Sequence, residues 1–106
     1  MNEVVLAYLT FGSLAEARKL GRALIEQKLA ACVNFWEGME SIYPWQGRVE
    51  TSRECVMIAK TTQNGKQEFL KFVRANHSYE VPCVVFLPTE GGNPDYLRWI
   101  DTNVVE

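Results

Sequence analysis

LAACVNFWEGMESIYPWQGRVETSRECVMIAK, residues 29–60, is the stretch that decides the fold. Apolar and aromatic residues run along both sides of one strong turn signal, Gln46-Gly47. If each side is a strand, each is ~15 residues long, against a usual ~5–6. At ~3.3 Å per residue that is a hairpin of ~50 Å. A compact domain of this length has a radius of gyration of only ~13 Å. Such a hairpin must bend, project, or pair with another chain, so it points to an oligomer before it points to any chemistry. A two-residue turn at Gln46 and Gly47 sets Glu40 opposite Arg53 and Trp36 opposite Met57. Gly38 is a candidate bulge or turn. Pro44 lacks a ladder donor and belongs on an edge or at a bulge.

Working outward, Val4 to Thr10 (VVLAYLT) reads as a strand. Ser13 with Glu16 three residues on forms a capping-box pattern. Ala17, Leu20, Gly21, Leu24 and Ile25 then recur at helical spacing, which predicts an amphipathic helix over 14–28. Gly21 on its apolar face suggests close approach of the helix backbone to a sheet. After the hairpin, Phe69, Leu70, Phe72 and Val73 mark a second helix to about Asn76. Val81 to Leu87 (VPCVVFL) is apolar throughout and predicts a strand covered on both faces. Asp95 is a candidate cap for a short terminal helix with Tyr96, Trp99 and Ile100 on one side. The order β-α-β-β-α-β plus a C-terminal helix is the ferredoxin-like pattern of an α+β fold. Right-handed crossovers put both main helices on one face of an antiparallel sheet. No repeat or linker appears, so residues 1–106 are expected to form a single domain.

Composition narrows the function classes. Hydrophobic content of 47% is ordinary for a globular chain, and a net charge of −2 carries no electrostatic footprint for nucleic acid or anionic membrane. No apolar run approaches the ~18–20 residues of a membrane span. The N-terminus has no basic n-region, so no signal peptide is expected and cytoplasm is the default. The odd set of three cysteines, Cys32, Cys55 and Cys83, has no C-x-x-C spacing. It indicates neither a disulfide framework nor a zinc site, and each cysteine is expected as a small buried hydrophobe.

Four features are candidates for chemistry, and each has a plainer reading. The single histidine, His77, shares a connector with Tyr79 and Glu80. An imidazole, a phenol and a carboxylate there suit a metal or a polar ligand, or His77 with Glu80 as an acid/base pair. The plainer reading is a loop histidine bonded to backbone. Lys60, before Thr61 and Thr62, is a candidate anion ligand near the next helix N-terminus, or a snorkelling strand-end lysine. Glu54 is either a solvated edge residue or a carboxylate facing a cleft. Trp36, Tyr43 and Trp45 fit a subunit interface, base stacking, or packing along their own sheet. The lack of surrounding Lys and Arg argues against nucleic acid. No nucleophile elbow, phosphate loop or H-E-x-x-H motif is present, and no catalysis is expected.

Five separated blocks then fit one family: KLAACVN (28–34), SIYPWQG (41–47), MIAKT (57–61), HSYEVP (77–82) and GNPDYLRWI (92–100). In order and spacing they resemble the CutA divalent-cation-tolerance proteins, over nearly the whole chain. The resemblance implies a homotrimer, similar to that of the PII signalling proteins, in which the long second and third strands take part in intersubunit sheet pairing. It implies association with copper or other divalent cations in clefts between subunits; the alternative is a PII-like small-molecule sensor or a scaffold in which metal binding is incidental. In the copper-linked bacterial form the ligands are attributed to a cysteine in the first strand and two adjacent histidines before the last. Those positions here are Leu9, Asn76 and His77, and Ser78 replaces the usual following proline. Leucine and asparagine cannot stand in for a thiolate and an imidazole toward a soft ion. Weaker or different metal binding is therefore expected, through His77 with Glu80 or a partner-chain carboxylate. The cleft residues implied are Trp45, Glu54, Lys60, His77, Tyr79 and Glu80.

Overall fold

The structure, a computed structural model, describes residues 2–105. Its elements are β1 (Val4–Phe11), α1 (Leu14–Glu26), β2 (Cys32–Trp45), β3 (Arg48–Thr62), α2 (Lys66–Asn76), β4 (Val84–Pro88) and α3 (Pro94–Thr102). The strands form one antiparallel sheet in the order β2-β3-β1-β4. This is the ferredoxin-like arrangement that the element order predicts.

The hairpin is as long as its sequence requires, with arms of 14 and 15 residues. Only the base of β3, from Cys55 onward, also pairs with β1. Residues 39–54 therefore project as a two-stranded ribbon, and the molecule measures 45 × 25 × 22 Å. Gln46 and Gly47 both take positive φ, 51° and 79°, the twist that suits a two-residue hairpin turn. Beyond the turn, Glu40 lies opposite Arg53 as expected, but Trp36 faces Val56, and it is Phe35 that faces Met57. The cause is a bulge between Trp36 and Met39. Two residues, Glu37 and Gly38, oppose the single Cys55, and Gly38 takes φ 81°, where a Cβ is disfavoured. Pro44 sits on β2, the edge strand, where its missing donor costs no ladder bond to a second neighbour.

Alternation sorts the sheet into two unlike faces. Ala7, Leu9 and Phe11 of β1 and Cys55, Met57 and Ala59 of β3 bury against Ala17, Leu20 and Leu24 of α1 and Phe69 and Val73 of α2. Gly21 makes this contact close. A Cβ there would come within 2.9 Å of Phe35 Cζ and 3.1 Å of Val33 Cγ2, so the helix seats directly on the strands. Ser13 caps α1 by accepting from the Glu16 N–H at 3.2 Å. The Glu16 carboxylate does not return the bond to Ser13; it accepts from the Ser78 hydroxyl. The helix ends at Glu26, two residues short of expectation, because Lys28 turns left-handed at φ 58°. The Leu29 N–H then bonds the Leu24 carbonyl at 2.9 Å and the Lys28 N–H bonds the Ile25 carbonyl at 3.0 Å, a Schellman closure. Ile25, expected on the apolar face, is 38% exposed.

The opposite face is partly bare. At one end α3 lies across it, with Ile100 and Val104 packed on Val4. Its cap is Asn93 rather than Asp95: the Asn93 side chain accepts from the Asp95 N–H at 3.1 Å, and Pro94 begins the helix. The rest carries the half-covered Leu6, Tyr8 and Ile58 beside the exposed Trp36, Val85 and Leu87. β4 starts three residues later than predicted, at Val84, and only one of its faces is covered within the chain. Its apolar outer face, Val85 and Leu87, is left exposed in the single chain.

Candidate functional site

The projecting ribbon and the bare sheet face meet in an open cleft of about 530 Å³. Tyr8 and Thr10 of β1, Met39, Tyr43 and Trp45 of β2, Glu54 of β3 and the Tyr79–Cys83 connector line it. The bulge at Gly38 is what aims this half of β2. It shifts the face of every later residue by one, so Met39, Ser41, Tyr43 and Trp45 share a side with Glu54 and Tyr8. Without the extra residue, that row would lie on the far side of the sheet.

One polar contact organises the cleft. The Tyr79 hydroxyl donates to Glu54 Oε2 at 2.8 Å. Burial, followed by the Glu54 bond and charge, pushes the Tyr79 phenol well above the ordinary tyrosine range. Burial likewise raises Tyr8, helped by Cys83 and Glu54. Both phenols thus stay neutral donors. The sign for stability follows from which state keeps the proton. Above about pH 10 the unfolded chain loses the Tyr79 proton while the fold retains it, so stability falls as pH rises beyond that point. Urea unfolding between pH 9 and 11 is expected to show this fall, and Tyr79→Phe to make it shallower; equal slopes would remove Tyr79 as its source.

His77 is placed differently. Its ring stacks on Phe11 at 4.5 Å between centroids. Nδ1 accepts from the Tyr79 N–H at 3.0 Å, and Nε2 lies 2.8 Å from the Thr10 carbonyl. The first bond occupies the Nδ1 lone pair and the second requires a proton on Nε2, so the neutral tautomer is set and neither nitrogen is free. The histidine thereby pins the start of the connector that delivers Tyr79 to Glu54. The other two positions of the copper-linked ligand set are also committed. Leu9 is fully buried in the core, and the Asn76 amide donates to the Phe72 carbonyl at 2.8 Å. Among the described residues no group of three or more His, Cys, Asp or Glu side chains stands ready for a metal ion. Within one chain, these side chains do not fit a soft divalent cation.

Of the six residues singled out in the sequence, Trp45, Glu54, Tyr79 and Glu80 come together at the cleft. Lys60 does not. It lies six residues along β3 from Glu54, about 20 Å away at strand rise. There its ammonium donates to the Tyr96 hydroxyl at 3.0 Å and sits 3.9 Å from Cys32 Sγ. The neighbouring threonines face inward: Thr61 donates to the Leu29 carbonyl at 2.7 Å, and Thr62 accepts from the Gly65 N–H at 3.2 Å. Of the cysteines only Cys55 is buried; Cys32 and Cys83 are partly exposed, because they sit on the open face and in the connector rather than in the core. Sequence reasoning missed Tyr8, Thr10 and Met39 as cleft residues. The signal for Tyr8 was its even position in β1, opposite in phase to the core residues Ala7 and Leu9.

Comparison with known proteins agrees with this architecture. The family pattern described as CutA1 divalent ion tolerance protein matches residues 5–103. The chain belongs to this family. The divalent-cation tolerance protein CutA of Thermus thermophilus is 44% identical over 103 residues, covering 97% of this chain and 98% of that protein. The chloroplastic protein CutA of Arabidopsis thaliana is 40% identical over 91% of this CutA-family chain, which spans only about half (53%) of that longer relative. The crystal structure of CutA1 from Oryza sativa superimposes with a TM-score of 0.96 at 38% identity, covering 99% of this chain and 96% of that one. No helix among the described residues is long and apolar enough to cross a membrane.

Proposed function

We propose that this CutA-family chain acts in the cytoplasm as a homotrimeric binding protein. Its ligand site is the Tyr79–Glu54 cleft, closed by a neighbouring subunit. The observation that carries the reading is the cleft itself, where four separated sequence blocks bring together the neutral phenols of Tyr8 and Tyr79 and the carboxylates of Glu54 and Glu80, with Tyr79 bonded to Glu54. The trimer is supported by two further features. Trp36, Val85 and Leu87 leave an apolar sheet face bare, and patches of this kind mark association sites. β2 leaves 14 residues of unpaired edge, a template for strand pairing between subunits.

In this reading the tolerance function works through ligand capture, without a copper centre at Leu9, Asn76 and His77. A second reading, capture of a divalent cation, draws on Glu54 and Glu80 lining the same cleft, with a partner carboxylate as a further ligand. Calorimetric titration with copper and with zinc of wild type, His77→Ala and Glu54→Gln separates the two. Unchanged isotherms in all three are expected; loss of binding in His77→Ala would return the metal to the connector, and loss in Glu54→Gln alone would favour the second reading.

A further inference from the structure

The charge pattern of the cleft narrows what it can hold. Its lining includes two carboxylates, Glu54 and Glu80, and no Lys, Arg or His. Neither carboxylate has a salt-bridge partner among the described residues, where the sole ion pair joins Arg98 and Asp95. Glu54 has instead a neutral phenol on Oε2. On this chain's side of the cleft an organic anion would meet negative charge that no described side chain compensates, whereas a cation would neutralise it. The walls add a second selection. Four aromatic rings, from two strands, the hairpin tip and the connector, bound the same space. Aromatic faces attract cations, most strongly those that shed water easily.

We propose that the cleft takes a small organic cation, an alkylguanidinium or alkylammonium group. It sits among the rings of Tyr8, Tyr43, Trp45 and Tyr79 and pairs with Glu54 and Glu80. The inference rests on the reading of the cleft as the ligand site and adds the class of ligand. A bare divalent ion is a poorer match. Hard cations seek about six or more oxygens, charged ones foremost, and here the only anionic oxygens are those of two carboxylates, beside the hydroxyls of Thr10 and Ser41, the Cys83 thiol, four rings, a thioether and a valine. A guanidinium uses each of these parts. Its planar fork meets a carboxylate edge-on and its face stacks on an aromatic ring, while its alkyl stem lies on Met39 and Val81. The volume of about 530 Å³ suits such a molecule. Tyr79 contributes by orientation: its hydroxyl holds one oxygen of Glu54, leaving Oε1 for the ligand.

The test is calorimetry on the full-length, EDTA-dialysed protein with n-butylguanidinium, its neutral isostere n-butylurea, and the anion valerate. Butylguanidinium is expected to bind at least about tenfold more tightly than butylurea, with valerate not binding. Glu54→Gln, which keeps an acceptor for Tyr79, is expected to erase most of that difference. Tyr43→Leu, at an exposed ring outside the core, is expected to weaken the cation about two- to fivefold, the size of one exposed cation–π contact. Tighter binding of valerate or butylurea than of butylguanidinium, sensitive to Tyr43→Leu, would overturn the cation assignment and leave the cleft as a ligand site. Absence of binding by all three would overturn both, as would binding of butylguanidinium unaffected by either substitution.

Discussion

Val85→Glu is expected to convert the proposed trimer into folded monomers. Val85 lies beside Tyr8 on the bare face of the sheet and is 51% exposed in the single chain. A carboxylate there remains in water when the chain is alone, so the isolated fold changes by no more than about 0.5 kcal/mol. Between subunits the same carboxylate would be buried three times over. An unpaired buried charge costs several kcal/mol per ion, enough to abolish association at micromolar concentration. The expected signature is a monomeric mass with unchanged far-ultraviolet circular dichroism. A trimer of undiminished stability would show that the β4 face lies outside the contact.

Phe69→Ala is expected to have the largest effect on the chain's own stability. Phe69 is the aromatic of α2 that reaches the sheet; it is fully buried and meets Phe86 edge-on at 5.7 Å. Truncation leaves a cavity between α2 and β4 that the antiparallel sheet cannot close. Such changes cost about 3–5 kcal/mol, against a total of about 5–15 kcal/mol for a domain. Urea unfolding is to be measured in the Val85→Glu background, so that assembly does not add to the reading. A loss under about 1 kcal/mol there would mean that the α2–β4 layer repacks around the gap.

The two predictions share one origin, the alternation of the strands, and that alternation also decides how much could be read in advance. Long periodic segments spoke plainly. The capping serine at 13, the turn at Gln46-Gly47 and the apolar spacing of α1 and α2 are local signals, and they emerged where expected but for Ile25, which α1 leaves exposed. The failures lie where tertiary geometry overrides them. The Gly38 bulge moved Trp36 from Met57 to Val56, and no local pattern states whether a strand glycine marks a bulge or a turn. The Val81–Leu87 run reads as doubly buried, yet in the chain Val85 and Leu87 stay exposed, because an unbroken apolar run does not state how many of its faces the chain's own helices cover. At the site, Glu54 and Tyr79 stand 25 residues apart, and only sheet register joins them. His77 stood out as a lone imidazole. Its role became visible only once Phe11, the Thr10 carbonyl and the Tyr79 N–H were seen to occupy it.

The long hairpin and the bare sheet face are the two observations behind the proposed arrangement, a cleft completed by a neighbouring copy of the chain. Sedimentation equilibrium of the wild-type protein at micromolar concentration tests this most directly. The expected molar mass is about three times the 12.1 kDa of the chain, without concentration dependence. A mass of 12.1 kDa would contradict the account, because Trp36, Val85 and Leu87 would then face water and the cleft would stand open with no subunit to close it.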